Sequence, residues 1–202
     1  MSKVITISRE FGSGGREIGF CVAKKLGIPF YDKELISMAA EDSNISEEVF
    51  HANDEVISRK ERVNYEYATV DPFSSRYEIP VSDQLFVIQS KIIRQLANNG
   101  PCVIIGRCSD VIVDDPFQVF ICASLKKRVE RLMAIEKEPG IDVKKMEARI
   151  RQIDKKRREY YQYYSGNEWG KPKNYDLCLN SGKLGIDACV DIIAGIVSGL
   201  ED

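Results

Sequence analysis

The sequence predicts a doubly wound α/β domain with three layers, α/β/α, around a mostly parallel sheet of about five strands. Three observations lead there. Short apolar runs rich in Val, Ile and Phe alternate with amphipathic stretches of helical length. Most of those runs are apolar on both faces, as strands covered on two sides are. The first run, "VITIS", leads through the glycine-rich "REFGSGG" straight into a helical pattern. With 202 residues, 44% hydrophobic and 30% charged, the chain reads as one domain over 1–202.

The elements follow in order. Strands are expected at 3–8, 102–106, 117–123 and 175–180, with "IPFYD" at 28–32 as a fifth. The first helix follows the glycines and stops at Leu26-Gly27, a C-terminal glycine signal. A second starts at Ser82 as N-cap and runs to Gly100-Pro101. A third starts at Ser124 and ends by Pro139-Gly140, a long fourth covers about 142–164, and the last is "GIDACVDIIAGIVSGL". Two polar excursions interrupt the alternation, at about 40–81 and 138–173. In the first, "ISEEVFHANDE" reads as helix and "ATVDPFSSRYEIP" as irregular chain. Such excursions at the carboxyl ends of strands commonly form lids or substrate-binding inserts.

Composition narrows the function classes. A net charge of −2 and a pI near 5.7 give no overall pull toward nucleic acid. The basic 144–173 stretch carries interleaved acids, which argues the same way. No apolar run approaches the ~20 residues of a membrane span, and the start of the chain is too short in apolar residues for a signal peptide. The six cysteines form no CxxC pair and mostly sit in apolar runs, so buried, reduced thiols in a cytoplasmic protein are expected. The single histidine, His51, has no neighbouring cysteine or second histidine with which to hold zinc.

The glycine loop is the principal candidate site. Gly12, Gly14 and Gly15 allow left-handed backbone angles and remove the side chains that would keep a phosphate away. The helix that follows presents its positive end to an anion. Arg9 before the turn and Arg16 at the helix start can neutralise phosphate oxygens. Laid on the phosphate-loop pattern G-x-x-x-x-G-K-[ST], Gly15 fills the late glycine and Arg16 the lysine slot. Glu10 stands in the first glycine slot and Glu17 in the hydroxyl slot. The dinucleotide pattern G-x-G-x-x-G fits Gly12 and Gly14 and meets Glu17 in its third slot. A tight strand–helix turn that binds nothing is the alternative.

Three stretches carry a family resemblance: "SREFGSGGREIG…KKLGIPFYDKELI", "VIIGRCSDVIVDDPFQVFICASLKKRVERL" and "NYDLCLNSGKLGIDACVDII". Together they resemble, in order and over nearly the whole chain except 40–81, the cytidylate kinase-like family. That family is a divergent branch of the P-loop nucleoside monophosphate kinases. The resemblance implies a P-loop kinase-like fold, with an acceptor-binding insert at about 33–81 and a lid at about 138–173. It implies ATP as phosphoryl donor, Mg²⁺, and a nucleoside monophosphate, CMP or dCMP, as acceptor. Arg9, Gly12, Ser13, Gly14, Gly15, Arg16 and Glu17 are then the donor-phosphate loop. Asp32 and Arg107 fall on the acceptor side, and Arg16, Arg151, Arg157 and Arg158 are the catalytic candidates. Glu17 or Asp32 would hold the metal through water, because Glu17 replaces the usual hydroxyl residue.

The residues of the long helix allow this reading. Arg151, Asp154, Lys155 and Arg158 share one face. Met146, Ile150, Ile153, Tyr160 and Tyr164 line another, interrupted by Arg157. A charged face exposed to solvent, with Asp154 pairing to its neighbours, is the alternative. Tyr160, Tyr161, Tyr163, Tyr164 and Trp169 are expected to pack the lid against the body in preference to stacking on a base. Asp32 and Glu34 can orient substrate, or simply oppose a helix dipole. Two other functions stay open. One is a nucleotide- or phosphometabolite-binding regulator without transfer activity, and the other is a kinase of another small molecule. Oligomeric state is not legible.

Overall fold

The computed structural model describes residues 4–32, 34–43, 45, 46, 48, 49, 55, 80–135 and 142–200. Among the described residues five strands form one sheet: β1 (Ile5–Arg9), β2 (Phe30–Tyr31), β3 (Val103–Ile105), β4 (Phe117–Cys122) and β5 (Leu177–Asn180). Their order is β2-β3-β1-β4-β5, and every pairing is parallel. The register sets Ile5 opposite Val103 on one side and Phe117 on the other. The chain leaves β1 for the far edge, returns to β3, then crosses to the opposite side of β1. That reversal puts a crevice at the carboxyl end of β1, where open α/β sheets bind ligands.

The helices are α1 (Gly15–Leu26), α2 (Glu34–Ser43), α3 (Val81–Asn98), α4 (Ser109–Ile112), α5 (Leu125–Ile135), α6 (Val143–Ser165), α7 (Ser181–Leu184) and α8 (Ile186–Gly199). A 3₁₀ turn covers Pro172–Asn174. β3 is apolar and buried throughout, whereas β1 turns Thr6 and Ser8 to one face and the edge strand β5 exposes Cys178 and Asn180. Ile5, Ile7, Val119 and Ile121 pack with Ile18 and Val22 of α1 and with Ile193 and Val197 of α8. On the other face Ile104 packs with Leu35 of α2, Ile92 and Ile93 of α3, and Tyr160 and Tyr161 of α6. Burial of such side chains stabilises by about 1.5–3 kcal/mol each. A smaller cluster joins Val129 and Leu132 of α5 to Met146 and Ile150 of α6, and ties α6 to the body beside the glycine loop.

Several boundaries differ from expectation. α3 begins at Val81 with Pro80 as N-cap, and Ser82 is a buried helical residue instead of the cap. Pro80 takes an extended ψ of 144°, so the cap falls two residues before the expected Ser82. The 28–32 strand shortens to the two residues that reach β3, Phe30 and Tyr31. Two single-turn helices, α4 and α7, were not legible because four residues carry no period. α6 starts after Asp142, whose side chain accepts a hydrogen bond from the Lys145 amide at 2.8 Å. Cys102, Cys108 and Cys189 are buried, Cys21 and Cys122 are half-buried, and Cys178 is exposed on the edge strand β5. Of the aromatic residues of α6, Tyr160 and Tyr161 are buried and Tyr164 stacks on Phe86 of α3 at 3.8 Å between centroids, whereas Tyr163 is exposed instead of packing against the body.

Of the expected helix over 45–55 only residues 45, 46, 48, 49 and 55 are described, and the irregular 68–80 stretch apart from Pro80 and the lid's first residues at 138–141 lie outside the described residues. Among the described residues no helix is long and apolar enough to cross a membrane.

Candidate active site

β1 delivers the chain to the crevice at Arg9, and α1 leaves it at Gly15. Between them Gly12 and Gly14 take φ of 77° and 80°, the left-handed region that side chains avoid. Space also demands glycine here. A Cβ on Gly14 would stand 2.5 Å from Ile186 Cδ1, and one on Gly15 would stand 2.5 Å from Arg9 Cβ. Ile18 N donates to Gly14 O at 2.9 Å, the first bond of α1. Helix geometry therefore leaves the amides of Gly15, Arg16 and Glu17 without intrahelical partners, at the positive end of the helix.

The loop is braced from below and from one side. Asp154 of α6 accepts the Phe11 amide at 2.8 Å and a short hydrogen bond from Arg128 of α5. Arg128 also donates to Phe11 O at 3.3 Å. Arg131, one turn further along α5, donates to Gly12 O at 2.9 Å. Glu10 accepts the Ala123 amide at 2.9 Å, and its carboxylate lies 3.6 Å from Arg128 Nε. Burial raises the pKa of Glu10, against the opposing pull of the Ala123 amide and of Arg128. Ser181 Oγ donates to the carbonyl of Ser13. The Ser13 hydroxyl itself is fully buried and has no hydrogen-bond partner among the described residues. It does not supply the hydroxyl that a phosphate loop usually carries toward its ligand.

The opposite wall is built by β2 and β3. After Ile105 three residues in succession, Gly106, Arg107 and Cys108, take φ of 68°, 55° and 55°. Two of these are not glycine, a backbone state that costs about 1–3 kcal/mol each and clusters at functional sites. The turn buries Arg107 to 2% exposure. Its guanidinium donates to Ile105 O at 3.3 Å and stands 3.5 Å from Asp32 Oδ1. The other Asp32 oxygen accepts from Arg16 Nε at 2.6 Å. Glu55 joins this wall: it accepts from Arg9 at 2.7 Å, from the Arg107 amide at 3.2 Å and from Arg157 Nε of α6 at 3.1 Å. Burial would raise the pKa of Glu55, but Arg9, Arg157 and Arg107 outweigh it and hold the carboxyl far below the usual range. Arg157 responds in the other sense, its pKa lowered by burial and by Arg9.

These walls enclose a cavity of about 780 Å³. Of the residues singled out from sequence, Arg9, Gly12, Gly14, Gly15, Arg16, Glu17, Asp32, Arg107 and Arg157 line it. Ser13 lies beneath the loop, and Arg151 and Arg158 are exposed elsewhere. Arg158 sits over the Trp169 ring, 5.8 Å from its centroid. α6 buries Asp154 against the loop, and Arg157, three residues on, shares that side. The arginine that interrupted the apolar face is thus the one that reaches the cavity. Asp154 leaves the charged face assigned to it and holds Arg128. Glu10, Glu55, Arg131 and Lys156 also line the cavity and were not anticipated. Arg128 and Arg131 fall three apart in "LKKRVERL", a spacing that could have flagged a shared face. Glu55 carries no such signal.

The model of the cytidylate kinase-like family matches residues 4–183. The chain belongs to that family. None of the curated proteins compared with it matches the sequence. Among solved structures, an uncharacterised protein from Eubacterium ventriosum is 26% identical with a TM-score of 0.72, the match covering 98% of this chain and 99% of that one. A shikimate kinase from Bacteroides thetaiotaomicron is 16% identical with a TM-score of 0.56, over 97% and 98% of the two chains. A shikimate kinase from Acinetobacter baumannii is 13% identical with a TM-score of 0.51, over 98% and 95%. The last two share the fold, and the fold of this member of the cytidylate kinase-like family is that of the P-loop kinases.

Proposed function

We propose that this chain transfers the γ-phosphoryl group of ATP to a small-molecule acceptor, CMP or dCMP being the acceptor that its family implies. The observation that carries the reading is the 2.6 Å contact between Arg16 and Asp32. It joins the start of α1, the donor-phosphate side, to the end of β2, the acceptor side, across one cavity. On this reading the first-turn amides of α1 and Arg16 hold the donor phosphates. The Arg16 side chain is 59% exposed, so it can exchange Asp32 for a phosphate oxygen at small cost. Asp32, released, orients the acceptor. Arg107 and Arg157 stabilise the charge that spreads over the transferring group, and no side-chain nucleophile is needed. Arg151 and Arg158 enter only through a movement of α6.

Mg²⁺, when bound, would neutralise charge on the β- and γ-phosphates. Among the described residues no group of three His, Cys, Asp or Glu could cage a metal. That suits an ion held mainly by phosphates and water, with one or two carboxylates assisting. Glu17 and Asp32 both line the cavity and are the carboxylates that would hold it through water.

One observation favours a second reading, a nucleotide- or phosphometabolite-binding regulator. The hydroxyl slot is Glu17, and the serine within the glycine loop, Ser13, has its hydroxyl buried. ADP release measured with Mg²⁺ over all nucleoside monophosphates and several small alcohols separates the two. A kinase gives acceptor-dependent release that EDTA abolishes and that Arg16→Ala and Arg107→Ala each reduce by about 10²–10³-fold. Binding of ATP with no transfer to any acceptor supports the regulator. If both substitutions leave phosphate binding and turnover unchanged, the site is wrong.

A further inference from the structure

Glu55 is held as a bound anion is held. Its Oε1 accepts from Arg9 at 2.7 Å and from the Arg107 amide at 3.2 Å, and its Oε2 accepts from Arg157 at 3.1 Å. The three arginines come from the end of β1, the left-handed turn after β3, and α6. Glu55 itself comes from the segment between α2 and α3, far from all three in sequence. The place is shaped for the pair. A Cβ on Gly106 would stand 2.0 Å from Arg9 Nη1 and 2.4 Å from Glu55 Oε1. The carboxylate also lines the cavity, as Arg9, Arg107 and Arg157 do. A ligand in the cavity therefore meets this carboxylate directly.

The charge balance is incomplete. The Arg107 guanidinium pairs with Asp32, whereas Arg9 and Arg157 share the single negative charge of Glu55. A phosphate carries up to two charges and a third oxygen, and so matches two guanidinium groups and the Arg107 amide better than a carboxylate does. We propose that Glu55 is a built-in competitor. It fills a phosphate subsite made by Arg9, Arg107 and Arg157, and the phosphate group of the acceptor takes its place on binding. The proposal rests on the phosphotransferase reading and names the anionic group its acceptor presents. A site occupied by its own carboxylate binds a ligand only in the fraction of molecules where the carboxylate has left. Weakly charged molecules then fail to open it, and a phosphate monoester opens it.

The test is calorimetric titration of the full chain with inorganic phosphate, and separately with acetate, at fixed ionic strength. Glu55→Gln keeps the size of the side chain and removes its charge. It is expected to bind phosphate at least tenfold more tightly than the unaltered chain, with a smaller gain for acetate. The gain survives in an Arg16→Ala background, which weakens the glycine loop, and disappears with Arg157→Gln. Unchanged or weaker phosphate binding by Glu55→Gln, or a gain that Arg16→Ala abolishes, overturns the proposal and leaves Glu55 as a structural clasp. A gain for acetate equal to that for phosphate also overturns it. If Glu55→Gln does not fold, Glu55→Asp serves: the shorter carboxylate cannot reach all the donors, and severalfold tighter phosphate binding is expected. No change there counts against the idea equally. ATP and Mg²⁺ are absent from the titration, so a chain that transfers phosphate to nothing still reveals whether Glu55 competes. A negative result for Glu55 likewise leaves the ADP-release measurement to stand by itself.

Discussion

Replacing Asp154 by Asn tests whether the glycine loop is held in shape by charge buried behind it. Asp154 is 7% exposed and Arg128 8% exposed. The substitution keeps the volume and one acceptor for the Phe11 amide. It removes the negative charge from Arg128, whose other carboxylate, Glu10, lies 3.6 Å away and already accepts the Ala123 amide. Breaking a buried pair by losing one partner costs about 3–5 kcal/mol, because the remaining charge stays out of water. The Glu10 carboxylate offsets part of that, so about 3 kcal/mol is expected. For a chain of this size that is a fall in Tm of roughly 6–12 °C. Calorimetry on Asp154→Asn, Arg128→Met and the double variant completes the cycle. The double variant should lose at least about 2 kcal/mol less than the sum of the singles, since the second change removes a charge already stranded. Additive losses, or a single loss under about 0.5 kcal/mol, would refute the reasoning.

Two further outcomes are expected. Gly14→Ala forces a side chain onto φ 80° and to within 2.5 Å of Ile186 Cδ1, so it should destabilise by about 1–3 kcal/mol and weaken ATP binding, read by thermal melting and by titration. Asp110, buried and accepting the Tyr161 hydroxyl at 2.7 Å, has its pKa pushed up by burial to about 6 from an ordinary 3.8. The folded state therefore binds this proton more tightly than the unfolded chain, and Asp110 costs stability progressively as pH rises from 3.8 to 6. Asp110→Asn should flatten the dependence of Tm on pH across that window. An unaltered slope would rule the burial argument out.

The glycine loop was legible because its chemistry is local. Gly12, Gly14 and Gly15 follow one strand and precede one helix, and the backbone angles they permit are properties of those residues alone. The lid helix was legible as a helix over about 142–164 from its period, and its cap, Asp142, emerged only in the structure. Its working face was not. A period shows which residues share a side and says nothing about which side meets the cavity. By period alone Arg157 interrupts an apolar stripe while Arg151 and Arg158 share a charged face, although the family resemblance implies all three as catalytic candidates. Packing of Met146 and Ile150 against α5 turns the helix so that Asp154 and Arg157 point at the loop. Glu55 escaped notice for a related reason: its partners lie 46, 52 and 102 residues away.

By itself the sequence determined the layered α/β class, the strand-to-helix turn at residues 9–15 and the family to which these belong. Hydrophobic period, glycine at required φ and helix caps are all set within a few residues of chain. Only the tertiary structure decided which charges meet. Arg16 finds Asp32, Arg128 finds Asp154, and Glu55 finds three arginines, because a parallel sheet brings the ends of β1, β2 and β3 together and α5 and α6 pack beside them. Ion pairing depends on distance in space, and residues widely separated along the chain come within reach of each other only after the core has closed.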